Sequence, residues 1–350
     1  MKQVVTILGA GASAPAGLPI MKSFKQAAEG LLQRDVFEYR ALNRNNVNRT
    51  LAKWNITHPT LNVEEYFVLL ELLSQIAPQE TKRQISEPFA NFRYLIAKTL
   101  LESFSMHKAR YMEKLFAAFE ETRRAEGTKH TIISLNWDSL AESYIRTPFD
   151  WLAETHPFDL RKTKNLGARP AGNIEVLKPH GSLAWWICRA CQYFLIEEDT
   201  GRLIRRYDAS TSAFESGKGA ECPKCSELTL EPGFIPPTGQ KLQASNGTGI
   251  WGPTWRRMQT ALLGCEELNI VGYSFPPGDM QVRVLLRDSL QLTRRVKRIN
   301  VITDYKVGQA RASFEEHILS QFQGTGLASL LRIRDEGVES WAKLQLRQAS

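Results

Sequence analysis

The sequence predicts an α/β protein in which a parallel sheet is interrupted by a helical insertion and carries a small zinc module. Three observations support this. Short apolar or β-branched runs at residues 4–8, 131–135, 174–177, 267–271 and 299–302 read as strands, and several stop at small or polar residues. Buried parallel strands do so when a ligand lies across their carboxyl ends. Helical spacing fills the chain between the first two runs, and two Cys-x-x-Cys pairs follow the third.

The first strand ends in Gly9-Ala10-Gly11-Ala12-Ser13-Ala14-Pro15-Ala16-Gly17-Leu18-Pro19. Tiny residues let main-chain N–H groups approach a pyrophosphate without Cβ obstruction, so the turn reads as a phosphate cradle. Gly9, Gly11 and Ala14 match the Gly-x-Gly-x-x-Gly/Ala dinucleotide fingerprint. Pro15, Gly17 and Pro19 interrupt the regular helix that normally follows, which predicts an ordered covering loop. An ordinary tight turn is the competing reading.

With 350 residues and 43% hydrophobic content the chain can bury one main domain with insertions. No apolar run approaches the ~20 residues of a membrane span. Met1-Lys2-Gln3 leads straight into a strand rather than a signal-peptide core, so a cytoplasmic location is expected. The net charge of +8 suits an anionic ligand, but basic residues are interleaved with carboxylates and nucleic acid is not indicated. The densest cluster, Arg294, Arg295, Lys297 and Arg298, reads as a solvated helix end.

Along the chain, residues 22–33 suit a helix. Asn62-Val63-Glu64-Glu65 offers a capping box for the next, Ser86-Glu87-Pro88 opens a third, and a fourth spans about residues 108–124 before Gly127. Asn136-Trp137-Asp138 ends the second strand, with a helical stretch expected over 139–145. Asn136 offers a donor and an acceptor and Asp138 acceptors only, so the pair suits a carboxamide or a water; alternatively Asp138 caps the helix. Residues 147–172 read as an irregular connector.

His180, in Lys178-Pro179-His180-Gly181-Ser182, again stands where a strand stops. An imidazole there suits proton transfer from a hydroxyl or water, with a structural turn histidine as the alternative. Cys188-x-x-Cys191 and Cys222-x-x-Cys225, separated by 30 residues, have the paired form of a closed tetrahedral zinc site, with Tyr193 to Ile196 and Leu203-Ile204 supplying a small ribbon. Cys265 stands alone as a small apolar residue in a helix.

In the last third, residues 255–263 suit a helix and Gly272-Tyr273-Ser274 a loop at a strand end, where Gly272 and Ser274 could admit a ribose or phosphate. Residues 279–292 form a helix with apolar spacing through Met280, Val284, Leu285 and Leu290. Residues 308–322 give a final helix, and the remainder shows no clear element.

The ordered set Gly9-Ala10-Gly11-Ala12-Ser13 with Gly17-Leu18-Pro19, Asn136-Trp137-Asp138, His180-Gly181, two Cys-x-x-Cys pairs, Gly272-Tyr273-Ser274 and Ile299-Asn300 resembles the sirtuin family. The resemblance covers the cradle and about residues 130–303. It implies a Rossmann-like NAD-binding domain (1–21, 130–184 and 233–325), a helical insertion (22–129), a zinc-binding module (185–232) and a C-terminal tail (326–350). It implies NAD as substrate and structural zinc on Cys188, Cys191, Cys222 and Cys225. Gly9, Ala10, Gly11, Ser13 and Pro19 would form the phosphate side, Asn136 and Asp138 the nicotinamide side, His180 the ribose side, and Gly272, Ser274 and Asn300 the adenosine half.

Protein-deacylating sirtuins close the covering loop with Arg, place Gln before the active-site Asn and carry a Phe-Gly-Glu strand that pairs with the peptide. Those places here read Met21 or Lys22, Leu135, and Pro232-Gly233-Phe234-Ile235-Pro236-Pro237-Thr238. The pattern looks more like the bacterial sirtuin-like branch that hydrolyses NAD in antiviral defence. A deacylase or ADP-ribosyltransferase and a non-catalytic NAD-sensing subunit are the alternatives; a homo-oligomer or a defence-system partner would supply the trigger.

Overall fold

The computed structural model describes residues 1–33, 41–76, 78, 92–93, 95–105, 107–145, 159–161, 174–188, 190–197, 221–227, 230–234, 251–304 and 309–349. Its strands are β1 (Gln3–Leu8), β2 (Lys129–Ser134), β3 (Asp159–Arg161), β4 (Glu175–Leu177), β5 (Gly181–Cys188), β6 (Phe194–Glu197), β7 (Leu230–Phe234), β8 (Glu267–Val271), β9 (Arg298–Ile302) and β10 (Leu331–Arg334). Six of them form one sheet in the order β10-β9-β8-β1-β2-β4, every pair parallel. Renumbered within this sheet, the order is the 3-2-1-4-5-6 of a Rossmann-like domain, read from the β4 edge. The chain reverses direction across the sheet between β1 and β8, the switch point beyond whose carboxyl ends open α/β sheets take their ligands.

Apolar β-branched residues explain the central strands. Val4 to Leu8 of β1 and all of β2 beyond Lys129 are buried, as a sheet covered on both faces requires. β10 lies in the portion where the sequence shows no element, and so does the last helix. It is a four-residue edge strand in which Arg332 and Arg334 alternate with Leu331 and Ile333, a pattern too short and polar to stand out.

The helices are α1 (Ala10–Ser13), α2 (Phe24–Gln33), α3 (Ala41–Thr57), α4 (Val63–Ile76), α5 (95–103), α6 (Arg110–Glu126), α7 (Trp251–Gly264), α8 (Met280–Thr293), α9 (Gln309–Gln321) and α10 (Gly337–Ala349). The capping box forms at α4. Asn62 Oδ1 accepts from the Glu64 and Glu65 amides at 2.9 and 3.0 Å, and the Glu65 carboxylate takes the Asn62 amide at 2.8 Å. α6 ends on Gly127 in the left-handed region. The Ser86-Glu87-Pro88 start lies outside the described residues, as do Leu203-Ile204, Pro236-Pro237 and most of the 147–172 connector, although β3 lies inside that connector.

α2 to α5 close on their own core. Trp54 stacks on Tyr66 at 5.3 Å, Phe92 meets both edge-on, and Leu18 of the segment after the cradle is buried in the same cluster. α10 packs on α6 through Val338, Trp341 and Ala342.

The other strands form a second sheet, β3-β6-β5-β7. β5 is buried along its whole length. Trp185 faces Trp251 of α7 at 5.6 Å, while Trp186 joins the helical-block core. Its Gly-Ser start reads as a turn in sequence, which hides the strand.

Two local expectations change. The stretch after Asp138 is a bend followed by a single 3-10 turn, Glu142–Tyr144, rather than a helix over 139–145. On α8, Met280 and Val284 are 61% and 51% exposed; Val282, Leu286 and Leu290 face the core. Of the expected set, Leu290 is thus buried and Leu285 packs half-buried against the core, while Met280 and Val284 give way to Val282 and Leu286.

Candidate active site

The first glycine turn is built by contact between backbones. Gly9 donates to the Val271 carbonyl and Gly11 to the Gly272 carbonyl, both at 2.9 Å, while Gly272 donates to Ile302 at 3.1 Å. A Cβ on Gly9 would lie 2.6 Å from Gly272 O and one on Gly11 2.9 Å from Gly272 Cα. One on Gly272, whose φ is +61°, would lie 2.1 Å from the Ala12 nitrogen. The glycines thus allow the β1 and β8 ends to cross at the point where strand order reverses. Ala12 donates back to Gly9 O at 2.9 Å, so the Gly11 and Ala12 amides are both internal. Ala10 stands exposed at the tip.

The chain does turn helical directly after Gly9, for the single turn α1, and then continues as a 3-10 turn, Ala14–Ala16. Gly17 ends it at φ +91°, where a Cβ would meet Ser103 O at 2.6 Å. Ser105 N donates to Ala16 O at 2.9 Å, Leu18 is buried and Pro19 is half-buried. The segment after the cradle is therefore tied to the helical block, as an ordered connection with proline breaks. Tyr111 of α6 adds a buried bond to Ala12 O at 2.6 Å.

Asn136, at the end of β2, reaches across to this turn. Its Nδ2 donates to Gly9 O and Ser13 Oγ, both at 2.9 Å. Gly9 O can only accept, so the amide must present its nitrogen here, and its carbonyl oxygen remains to orient a ligand. Asp138 is buried and its Oδ1 accepts from the Leu140 amide at 2.9 Å. The capping alternative is realised in part, as an Asx turn opening the bend. Burial, with the Asp138 charge next in weight, pushes the Tyr111 phenol up.

His180 occupies a tight turn closed by the Gly181 amide on Lys178 O at 2.9 Å, with Pro179 at the second position. Gly181, at φ +76°, has no room for a Cβ against Gly233 O at 2.0 Å and Trp251 at 2.6 Å. The imidazole is only 2% exposed and its Nε2 lies 3.7 Å from Asp279 Oδ1, at the start of α8. Asp279 Oδ2 accepts from the buried Tyr273 hydroxyl at 3.1 Å. A carboxylate in that position can balance an imidazolium formed when His180 takes a proton. Asp279 is 99 residues from His180 in the chain, so no local pattern announces the pairing.

The adenosine-side residues divide. Gly272 and the exposed Ser274 stand just beyond the carboxyl end of β8, the Ser274 carbonyl accepting from His317 Nε2 at 3.0 Å. Asn300 does not reach it. It lies inside β9, its amide on Asn269 Oδ1 at 2.8 Å and Glu267 Oε1 at 3.3 Å, a cross-strand bond that begins at the opposite end of β8. Thr303 and Asp304, the first two residues after β9, are those at the carboxyl edge.

The four cysteines converge, with all sulfur atoms within 4.8 Å of one another. Cys188 and Cys225 are 3.7 Å apart, and so are Cys191 and Cys222. That is too long for a disulfide and close to the ~3.8 Å edge of a tetrahedron with ~2.3 Å zinc–sulfur bonds. The two knuckles match. Gln192 donates to Cys188 O and Ser226 to Cys222 O, both at 2.9 Å, with φ of +57° and +59°. The thiols fit structural zinc. Cys265 lies one residue beyond α7, buried, its thiol pushed up to about 12 chiefly by burial.

The chain matches no protein-family model and no curated protein. Among solved structures it is similar to a Sir2 enzyme studied for mechanism and regulation, at 15% identity and TM-score 0.47, covering 99% of this chain and 92% of that one. A Sir2 homologue in complex with NAD shares 15% identity at TM-score 0.45, with 99% and 89% coverage. A sirtuin studied for substrate affinity shares 11% at TM-score 0.42, with 99% and 92% coverage. The architecture described above rests on strand order and register, independently of these likenesses. No helix among the described residues is long and apolar enough to cross a membrane.

Proposed function

We propose that this chain is an NAD glycohydrolase: it binds NAD across the β1–β8 switch point and cleaves the nicotinamide–ribose bond, with water converting NAD to nicotinamide, ADP-ribose and a proton. The observation that carries the reading is the clamp of Asn136 on Gly9 and Ser13, which joins the carboxyl end of β2 to the cradle. The ordered motifs that resemble the sirtuin family support it.

Nicotinamide departs as a neutral molecule from a cationic centre, so the transition state is oxocarbenium-like and needs little acid at the leaving group. The site must instead position water and ribose. In this reading the Asn136 carbonyl oxygen orients them, Asp138 holds the carboxamide, and His180 takes the proton from a ribose hydroxyl or the water. Asp279 then faces the resulting imidazolium. Zinc, held by the four thiols, fastens the second sheet.

One observation favours hydrolysis over peptide deacylation. β7 is the edge of its sheet, where an added strand would dock. Pro232 has no N–H to offer, and the Phe234 carbonyl accepts from Arg93 at 3.2 Å, with the guanidinium 5.3 Å from the Phe234 ring centre. A peptide strand meets an interrupted ladder.

The bacterial sirtuin-like defence branch is the setting we infer, with the helical block as assembly surface for a homo-oligomer or a defence partner. The test is incubation of purified protein with NAD alone, then with acetylated peptide, following nicotinamide and ADP-ribose by chromatography. Release from NAD alone is expected. Release only with peptide makes the protein a deacylase, and NAD binding without turnover makes it a sensor.

A further inference from the structure

Behind the Asn136–Asp138 loop lies an ion pair that none of the roles above uses. Lys178 is 0% exposed, and its Nζ lies 3.0 and 3.1 Å from the two oxygens of buried Glu142. The same ammonium donates to the main-chain carbonyl of Asp138. Ser182 Oγ donates to Glu142 Oε1 and accepts from the Ala184 amide at 3.1 Å.

Stability is a poor reason for such a pair. Withdrawing two charges from water costs several kcal/mol each, and replacing a buried pair by apolar side chains is often neutral or stabilising. Geometry is the better reason. Lys178 and Ser182 stand two residues before and after His180, and both end on the Glu142 carboxylate. Lys178 also grips the carbonyl of Asp138, two residues from Asn136. One carboxylate therefore ties the His180 turn to the loop bearing the other two active-site candidates, and the main-chain bond from Leu183 N to Trp137 O at 2.7 Å runs beside it.

We propose that Lys178 and Glu142 are positioning residues for NAD cleavage, their ion pair, closed by Ser182 and the Asp138 carbonyl, setting His180 against the Asn136–Asp138 loop. The inference rests on the glycohydrolase reading. Misplacement of about 1 Å can cost on the order of a hundredfold in rate.

The test is the full-length Lys178→Met/Glu142→Leu double variant, with its melting temperature, kcat, KM and amide hydrogen exchange measured beside the wild type. The expected result is melting within about 4 °C of wild type, a kcat lower by roughly ten- to a hundredfold with KM changed by less than about threefold, and exchange faster by about tenfold or more at Leu140 and Leu183. Wild-type kcat in the double variant overturns the proposal. Ser182→Ala removes one hydroxyl only and gives a second reading if the double variant does not fold: near-wild-type melting with a several-fold loss of kcat supports positioning, and unchanged kcat overturns it. If the wild type releases no nicotinamide, the glycohydrolase reading fails by itself. The exchange measurement still decides the network, because unchanged protection at Leu140 and Leu183 overturns it without reference to turnover.

Discussion

Replacing Gly272 by alanine separates two explanations of the glycine-rich edge. If the glycines serve mainly to let a ligand approach, the free protein should tolerate a methyl group. If they serve the crossing of β1 and β8, it should not. A Cβ at Gly272 would sit 2.1 Å from Ala12 N, 2.3 Å from Gly11 C and 2.7 Å from Gly11 Cα, all main-chain atoms that no rotamer change can move. The left-handed φ of +61° adds a conformational cost of about 1–2 kcal/mol, and overpacking adds about 1–3 kcal/mol more. Gly272→Ala should therefore lose about 2–5 kcal/mol. Gly127 is the internal control: its φ is +65°, but nothing lies within 4 Å of an added Cβ, so Gly127→Ala should show only the conformational part. Urea unfolding of the three proteins, compared at equal m, gives the difference directly. Equal losses in the two variants would refute the crossing argument, because the steric part would then be absent.

Four further outcomes are expected. Asn136→Asp turns the donor facing Gly9 O into an acceptor and should lose about 1–3 kcal/mol in denaturant titration; Asn136→Ala should lower nicotinamide release by on the order of a hundredfold, and a wild-type rate removes Asn136 from the catalytic assignment. His130, stacked on Phe119 at 4.5 Å and bonded to Thr122 at 2.8 Å, is pushed down to about 4, chiefly by burial, from the usual imidazole value of 6.5. The unfolded chain therefore takes up this proton first as pH falls, and stability drops between about pH 6.5 and 4 by about 3 kcal/mol, with no further change below; the stability difference between wild type and His130→Gln should follow that course, whereas a flat difference contradicts it. Elemental analysis should find one zinc per chain, and its removal by chelator should lower the melting temperature and raise exchange in β5 and β7, since Cys188 is the last residue of β5; unchanged melting after complete metal loss would show the thiols to be dispensable.

Much of the sheet was legible because parallel strands buried on both faces leave continuous apolar runs. The zinc knuckles were legible because two-residue spacings are local, and so was the Asn62 cap. What escaped had competing local signals. The Gly181-Ser182 start of β5 reads as a turn, and in the structure Gly181 does close one before the strand begins. β10 is a charged edge strand, and α8 offered two apolar faces of which only packing chose one. At the candidate site, the placement of Asn136, Asp138 and His180 beyond strand ends was legible because each follows an apolar run. The contacts of Asp279, Glu142 and Lys178 were not, since their partners are distant in sequence. Asn300 is placed differently from expectation for the converse reason: it lies within a strand, and its cross-strand partner Asn269 takes the side chain.

The triplet Asn136-Trp137-Asp138 shows how the insertions and the sheet come to share one site. The three residues form a bend just beyond β2. Asn136 turns to the cradle, and Asp138 is buried with its carboxylate on the Leu140 amide. Trp137, between them, meets Phe67 of α4 at 6.1 Å and Phe234 of β7 at 5.4 Å, while its carbonyl takes the Leu183 amide of β5. The middle residue is thus one joint between helical block and second sheet, and its neighbours are the polar groups beyond the end of β2. Phe67 also meets Phe234 at 6.3 Å and Arg93 bonds the Phe234 carbonyl, so Trp137 shares that contact with others, and it is the member that adjoins Asn136 and Asp138. That contact gives a physical route by which a displacement at the helical block could reach the carboxyl end of β2 without a separate regulatory domain.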